Sequence, residues 1–111
     1  MIIRRLRESV EVLASSPEDQ VYWLDRERCP VDELALQFDD CLEAALATKK
    51  FGHGLVENLR CLDVELDTMS GANNGDLWTE NAVRNDSRWD AIRRTAQRVL
   101  TQERWPTDVG E

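Results

Sequence analysis

One histidine, His53, stands in a chain of 111 residues, and neither an ExxH nor a CxxC pairing occurs in it. Carboxylate metal bundles draw their ligands from Glu-x-x-His helices, and zinc sites from cysteine and histidine clusters, so neither a metal nor a cofactor is expected. No apolar run exceeds four residues, far short of the roughly 20 that a membrane-crossing helix requires. Arg4, Arg5 and Arg7 are followed by Glu8 and Glu11 rather than by an apolar stretch, so no signal peptide is expected. Cys29, Cys41 and Cys61 cannot all pair with one another, which fits a reducing, cytoplasmic setting.

What is present describes a folded protein. Apolar residues make up 41% and charged residues 32% of the chain, a balance that supports a core and is too apolar for disorder. The length predicts one domain over residues 1–111, with 106–111 as a frayed tail. Ile2, Ile3, Leu6, Val10 and Leu13 recur at helical spacing and predict a first helix over 2–14. Ser16 then offers a cap, Pro17 the first helical position, and Glu18 and Asp19 two acids for the first turn. VYWLDRER reads as a second, shorter helix, although four consecutive bulky residues also fit a short buried strand.

Pro30 opens a third helix that runs to about Lys49, where Lys49 and Lys50 suit the negative end of the helix dipole. FGHG is a break. Leu55, Leu59, Leu62, Leu66 and Met69 alternate four and three apart and predict a buried seam on the next helix. SGANNGD, residues 70–76, is dense in turn formers and is expected to be a loop, with Trp78 pinning its end to the core. Thr79 caps a short turn through TENAVR. Asp86 or Ser87 caps a last helix whose core side is Trp89, Ile92, Ala96, Val99 and Leu100, stopped by Pro106. The fold class is therefore all-α, a single-domain bundle of four to five amphipathic helices.

Candidate chemistry is sparse. His53 lies between two glycines, with no serine, cysteine or acid at a catalytic spacing, and is expected to be exposed or to cap a helix. SGANNGDLWTE lacks the acid, glycine and glutamate positions of a calcium loop. Cys41 and Cys61 are expected on the core sides of their helices as poorly reactive thiols. No catalytic residue is assigned, and an enzyme is not expected. Arg88, Arg93, Arg94 and Arg98 are interleaved with Asp90 in a chain of net charge −8. They are expected to form a solvated face, or an internal counter-surface to the acidic helices, rather than a nucleic-acid site.

The acids are unevenly distributed. Residues 17–43 hold nine Asp or Glu against Arg26 and Arg28, whereas 84–104 hold six arginines against three acids. Such a patch repels nucleic acid and anionic membranes and attracts a basic protein. On the third helix, Asp32, Asp39 and Glu43 fall in a stripe about 40° wide, with Glu33 and Asp40 alongside. Leu34, Phe38, Cys41, Leu42 and Ala45 take the opposite side, and Leu36 breaks the pattern by falling inside the acidic stripe. An apolar centre within a charged rim is how many protein interfaces are built. Asp32, Glu33, Leu36, Asp39, Asp40 and Glu43 are therefore the candidate partner-binding residues, against the plain alternative of a solvated helix face.

The ELALQFDDCLEAA helix with the acidic stretch before it resembles the bacterial immunity proteins, small acidic helical inhibitors of basic toxin domains. DLWTENAVRNDSRWDAIRRTA has the look of small bacterial proteins of similar size. The resemblance is one of general character over the whole chain and transfers no site residues. It implies a toxin inhibitor that acts by occlusion and has no chemistry of its own. The alternative is a structural or accessory subunit that forms a homo-oligomer through exposed Leu and Trp residues.

Overall fold

Three of the helices start where a side chain satisfies a leading amide. The computed structural model describes residues 1–106. Among them run α1 (Ile2–Ala14), α2 (Pro17–Glu27), α3 (Glu33–Leu46), α4 (His53–Thr68), a 3-10 helix (Ala72–Leu77), α5 (Glu80–Asn85) and α6 (Ser87–Gln102), with no strand. The Ser16 hydroxyl accepts the Asp19 amide at 3.2 Å, and Pro17 follows it as the first residue of α2. Thr79 Oγ1 accepts the Ala82 amide at 3.1 Å, and the Asp86 carboxylate accepts the Arg88 amide at 2.8 Å. Each of these side chains replaces water at an otherwise orphan N–H.

Four helices close into a ring. α1 packs on α3 and on α6, α6 packs on α4, and α4 returns to α3, while the short α2 and α5 pack against each other. Leu6, Val10 and Leu13 of α1 are completely buried, as are Leu55, Leu59 and Leu62 of α4, and Trp89, Ile92, Ala96 and Val99 complete the wall on α6. The expected count of four to five helices is thus low by at least one, because the TENAVR turn winds into α5 as a helix of its own. VYWLDRER is helical rather than a strand, with Val21 and Leu24 facing the core and Tyr22 exposed.

Other boundaries differ for local reasons. α3 begins at Glu33 rather than Pro30, because the Pro30 and Val31 carbonyls accept the Glu33 and Leu34 amides in a tight turn anchored by buried Val31. It ends at Leu46. Thr48 Oγ1 donates to the Ala45 carbonyl at 2.7 Å, and Lys49 adopts a left-handed φ of 59°, so both lysines lie beyond the helix. The break between the two helices thus spans residues 47–52 and takes only Phe51 and Gly52 from FGHG, since His53 is already the first residue of α4.

The SGANNGD segment is not an irregular loop but largely a 3-10 helix, interrupted at Asn74. Gly71 enters it at a φ of 110°, which a side chain would oppose. Asn74 Nδ2 then donates to the Ser70 carbonyl at 3.0 Å and, more weakly, to that of Thr68 at 3.4 Å, so the turn formers also satisfy the end of α4. Trp78 Nε1 donates to the Met69 carbonyl at 2.8 Å, and its ring meets that of Trp89 edge to face at 5.4 Å, which pins the segment as expected. At the far end, Phe51 and Trp105 meet edge to face at 5.8 Å. The Glu103 carboxylate lies where a Cβ on Gly54 would be, over the first turn of α4. Of the expected frayed tail, residues 107–111 lie outside the described ones.

Arg93 departs most from expectation. Instead of sharing a solvated face with Arg94 and Arg98, it is buried, and its guanidinium donates to Gln20 Oε1 at 2.8 Å, the Val83 carbonyl at 3.0 Å and Asp90 at 2.6 Å. Gln20, completely buried, donates in turn to the carbonyls of Val12 and Leu13 at the end of α1. Four helices are thereby tied through one satisfied polar network. Arg93→Ala strands the Gln20 and Val83 oxygens and should cost about 2 to 4 kcal/mol. Arg94→Ala, at an exposed site, should change stability by no more than about 0.5 kcal/mol. Chemical unfolding of the two variants side by side checks this, and equal midpoints would contradict it.

Candidate functional site

The partner-binding candidates all lie at the outer side of α3 or at its start, but neighbouring helices divide them. Asp32, Leu36, Asp39, Asp40 and Glu43 are exposed and Glu33 is half-buried. Leu36 keeps 47% of its surface in water, an unusual fraction for a leucine on a helix with a complete apolar side. Because α1 and α4 flank α3 on opposite edges, acids that look adjacent on a helical wheel meet different surroundings.

On the α1 edge, Asp40 borders a depression with Arg5, Glu8, Gln37 and Cys41. Glu33 turns toward Cys29. Burial, followed by the Glu33 and Glu27 charges, pushes the Cys29 thiol up from its ordinary pKa. Burial also raises the Cys41 thiol, with Arg5 opposing and Asp40 adding to the shift. Both thiols therefore stay protonated and weakly nucleophilic near neutrality. Cys61 was expected in the core and is exposed. It lies about 120° around α4 from the centre of the leucine seam, so its apolar neighbours in sequence are not its neighbours in space.

On the α4 edge, Glu43 and Arg60 form a two-pronged ion pair at 2.6 and 3.5 Å. The hydrogen bond from Arg60 holds the Glu43 carboxyl below its ordinary range. One turn further toward the start of α3 the pattern reverses. Asp39 shares a cleft with Asp63 and Asp67 of α4, floored by Phe38 and Leu66. The Asp63 carboxyl is pushed up, first by burial and then by the Asp39 and Asp67 charges, with Arg60 only partly offsetting them. No ion pair among the described residues involves Asp39, Asp40, Asp63 or Asp67.

This cleft continues past Leu36 into a second one bordered by Asp32, Gly71, Gly75 and Trp78; the two share Ala35, Leu36 and Ser70. A third and wider groove runs between α1 and α2, over Val12, Tyr22 and Trp23. Its acids are largely engaged: Glu8 pairs with Arg4, Glu11 with Arg7 and Glu27 with Arg26. His53 is 89% exposed at its side chain and lies 3.0 Å from Glu57, one helical turn away.

Asp63 and Asp67 lie outside the second and third helices, where the sequence concentrates nearly the whole net charge, and are not among the residues it nominates. Their signal was present as two aspartates one turn apart at the edge of the leucine seam. What the sequence did not supply was the neighbouring helix edge. Among the described residues no group of three or more His, Cys, Asp or Glu side chains is arranged to hold a metal ion. No helix among them is long and apolar enough to cross a membrane. Comparison with family models, curated proteins and solved structures found no match.

Two outcomes follow from this geometry. A carboxyl with a raised pKa in the folded state favours folding when protonated, and that advantage is lost as the pH rises through the folded-state value. Asp63→Asn should therefore stabilise the protein by roughly 0.5 kcal/mol at neutral pH, with the gain vanishing below the carboxylate range. Thermal melts of parent and variant across that range check it, and a variant less stable at neutral pH would contradict it. Native thiol labelling should modify Cys61 first, with Cys29 and Cys41 trailing by a wide margin. Peptide mapping of the early product would expose the opposite order.

Proposed function

We propose that the chain is an acidic protein-binding module, an immunity-type inhibitor that occludes a basic toxin or enzyme domain without chemistry of its own. One observation carries the reading: on α3 the exposed Leu36 stands among carboxylates, of which Asp39 and Asp40 have no ion-pair partner among the described residues. Unpaired charge draws a basic partner in from a distance, and an apolar centre holds it once docked. The free state of all three cysteines accords with action in a reducing compartment such as the cytoplasm. A second reading, an accessory subunit assembled through helix–helix contacts, is favoured by exposed Tyr22 and Val64, at 65% and 60%.

The test begins with capture of basic proteins from the native cell extract, followed by association and dissociation kinetics of the purified pair. Association should slow steeply with added salt, by about tenfold or more between low and physiological ionic strength. Asp39→Lys with Glu43→Lys should slow association and flatten the salt dependence, while Leu36→Ala should mainly speed dissociation. Parental rates in both variants would place the contact elsewhere. Salt-insensitive self-association, read by analytical ultracentrifugation, would favour the accessory-subunit reading instead.

A further inference from the structure

The outward stripe of α3 is not the best-formed receptor on this surface. Beside it runs the continuous groove between α3, the end of α4 and the 3-10 helix, with half-exposed Leu36 at its middle. Asp39, Asp63 and Asp67 gather at one end, and Asp32 and half-buried Trp78 border the other. No lysine or arginine lines either half. In this it differs from the groove over Tyr22 and Trp23, where Arg26 is part of the lining and most acids already have partners.

We infer that this groove seats a segment of a basic protein in which an arginine adjoins a bulky apolar side chain: the guanidinium meets Asp39, Asp63 and Asp67, and the apolar side chain lies against Leu36 and Trp78. The inference rests on the basic-partner reading and narrows it, moving the contact from Asp40 and Glu43 to Asp63, Asp67 and Trp78. Charge complementarity selects the occupant. Three carboxylates line one cleft that no base lines and that Arg60 compensates only in part, and they are not arranged to hold a metal ion. A flat cation with five donors can engage several carboxylates at once, which a lysine ammonium does less well. The apolar half of the groove then favours a protein segment over a small polyamine, since a bulky side chain buries more apolar area against Leu36 and Trp78 than a thin methylene chain does. Glu43 is already committed to Arg60, and Asp40 faces Arg5 across the other edge, so neither is as available.

The probe is a capped synthetic peptide of repeated arginine–leucine–leucine steps, with two counterparts carrying lysine or glutamate in place of arginine. Each is titrated into the isotope-labelled full chain and followed by backbone and tryptophan indole NMR signals. The arginine peptide should shift Leu36, Asp63, Asp67 and the Trp78 indole, and should bind more tightly than the lysine peptide by about threefold or more. Asp63→Asn with Asp67→Asn should weaken it by about tenfold, whereas Asp25→Asn, at an exposed position of α2 outside the groove, should change it by less than roughly twofold. Neutralising Asp63 relieves repulsion in the folded state, so the double variant is not expected to fail to fold. Shifts centred on Asp40 or on Tyr22 and Trp23, with affinity unchanged in the double variant, would overturn the groove and leave the basic-partner reading standing. Equal behaviour of the arginine and glutamate peptides would overturn both.

Discussion

The burial of α1 sets the arrangement of everything around it. Its apolar side, from Ile3 through Leu6 and Val10 to Leu13, is too broad for one neighbour and is covered by α3 on one flank and α6 on the other. α6 carries the leucine seam of α4, and α4 thereby comes to rest along the remaining edge of α3. Once that ring is closed, the rotation of α3 is fixed by Leu34, Phe38, Leu42 and Ala45, all buried in the common core. The surface chemistry of the protein follows from this rotation, because it decides which acids of α3 meet α4 and which meet α1.

The consequence is a surface whose charges are compensated unevenly. Arg60 reaches across to Glu43 and neutralises one position, while Asp39, Asp63 and Asp67 share a cleft with no ion pair and only partial compensation from Arg60. Nothing in the core requires that grouping: these side chains lie outside the buried cluster, and replacing one aspartate by asparagine would ease their repulsion. Under the proposed function, these charges and the exposed Leu36 beside them form the receptor for a basic partner. The buried Arg93–Gln20 network has a different part, since it holds α2 and α5 against the end of α1 and the middle of α6.

Features set by neighbours in sequence were readable from the chain, and features set by neighbours in space were not. The first helix, the seam of α4 and the caps at Ser16 and Thr79 each depend on residues within about one turn of one another, and periodicity reports such relations directly. The 3-10 helix escaped because its glycines and asparagines signal a turn without saying how tightly it repeats. Arg93 escaped because its partners lie on α2 and α5, and an arginine beside an apolar stripe looks the same whether it points to water or to a buried glutamine. Cys61 was misplaced by its proximity to Leu59 and Leu62 in sequence, although the helical rotation turns it outward. For the candidate site, the acids and Leu36 of α3 were readable, but their division between two edges and the convergence with Asp63 and Asp67 depend on which helix packs where.

α3 and α4 bring the carboxylates of Asp39, Asp63 and Asp67 into one cleft with only partial compensation from Arg60. A carbon-detected NMR titration of the Asp63 carboxyl, in the parent and in Asp39→Asn, reads that convergence directly. The midpoint should lie above that of an ordinary aspartate in the parent and fall part of the way back in the variant, as the Asp39 charge is removed and the burial remains. An ordinary aspartate midpoint in the parent, unmoved by Asp39→Asn, would contradict it.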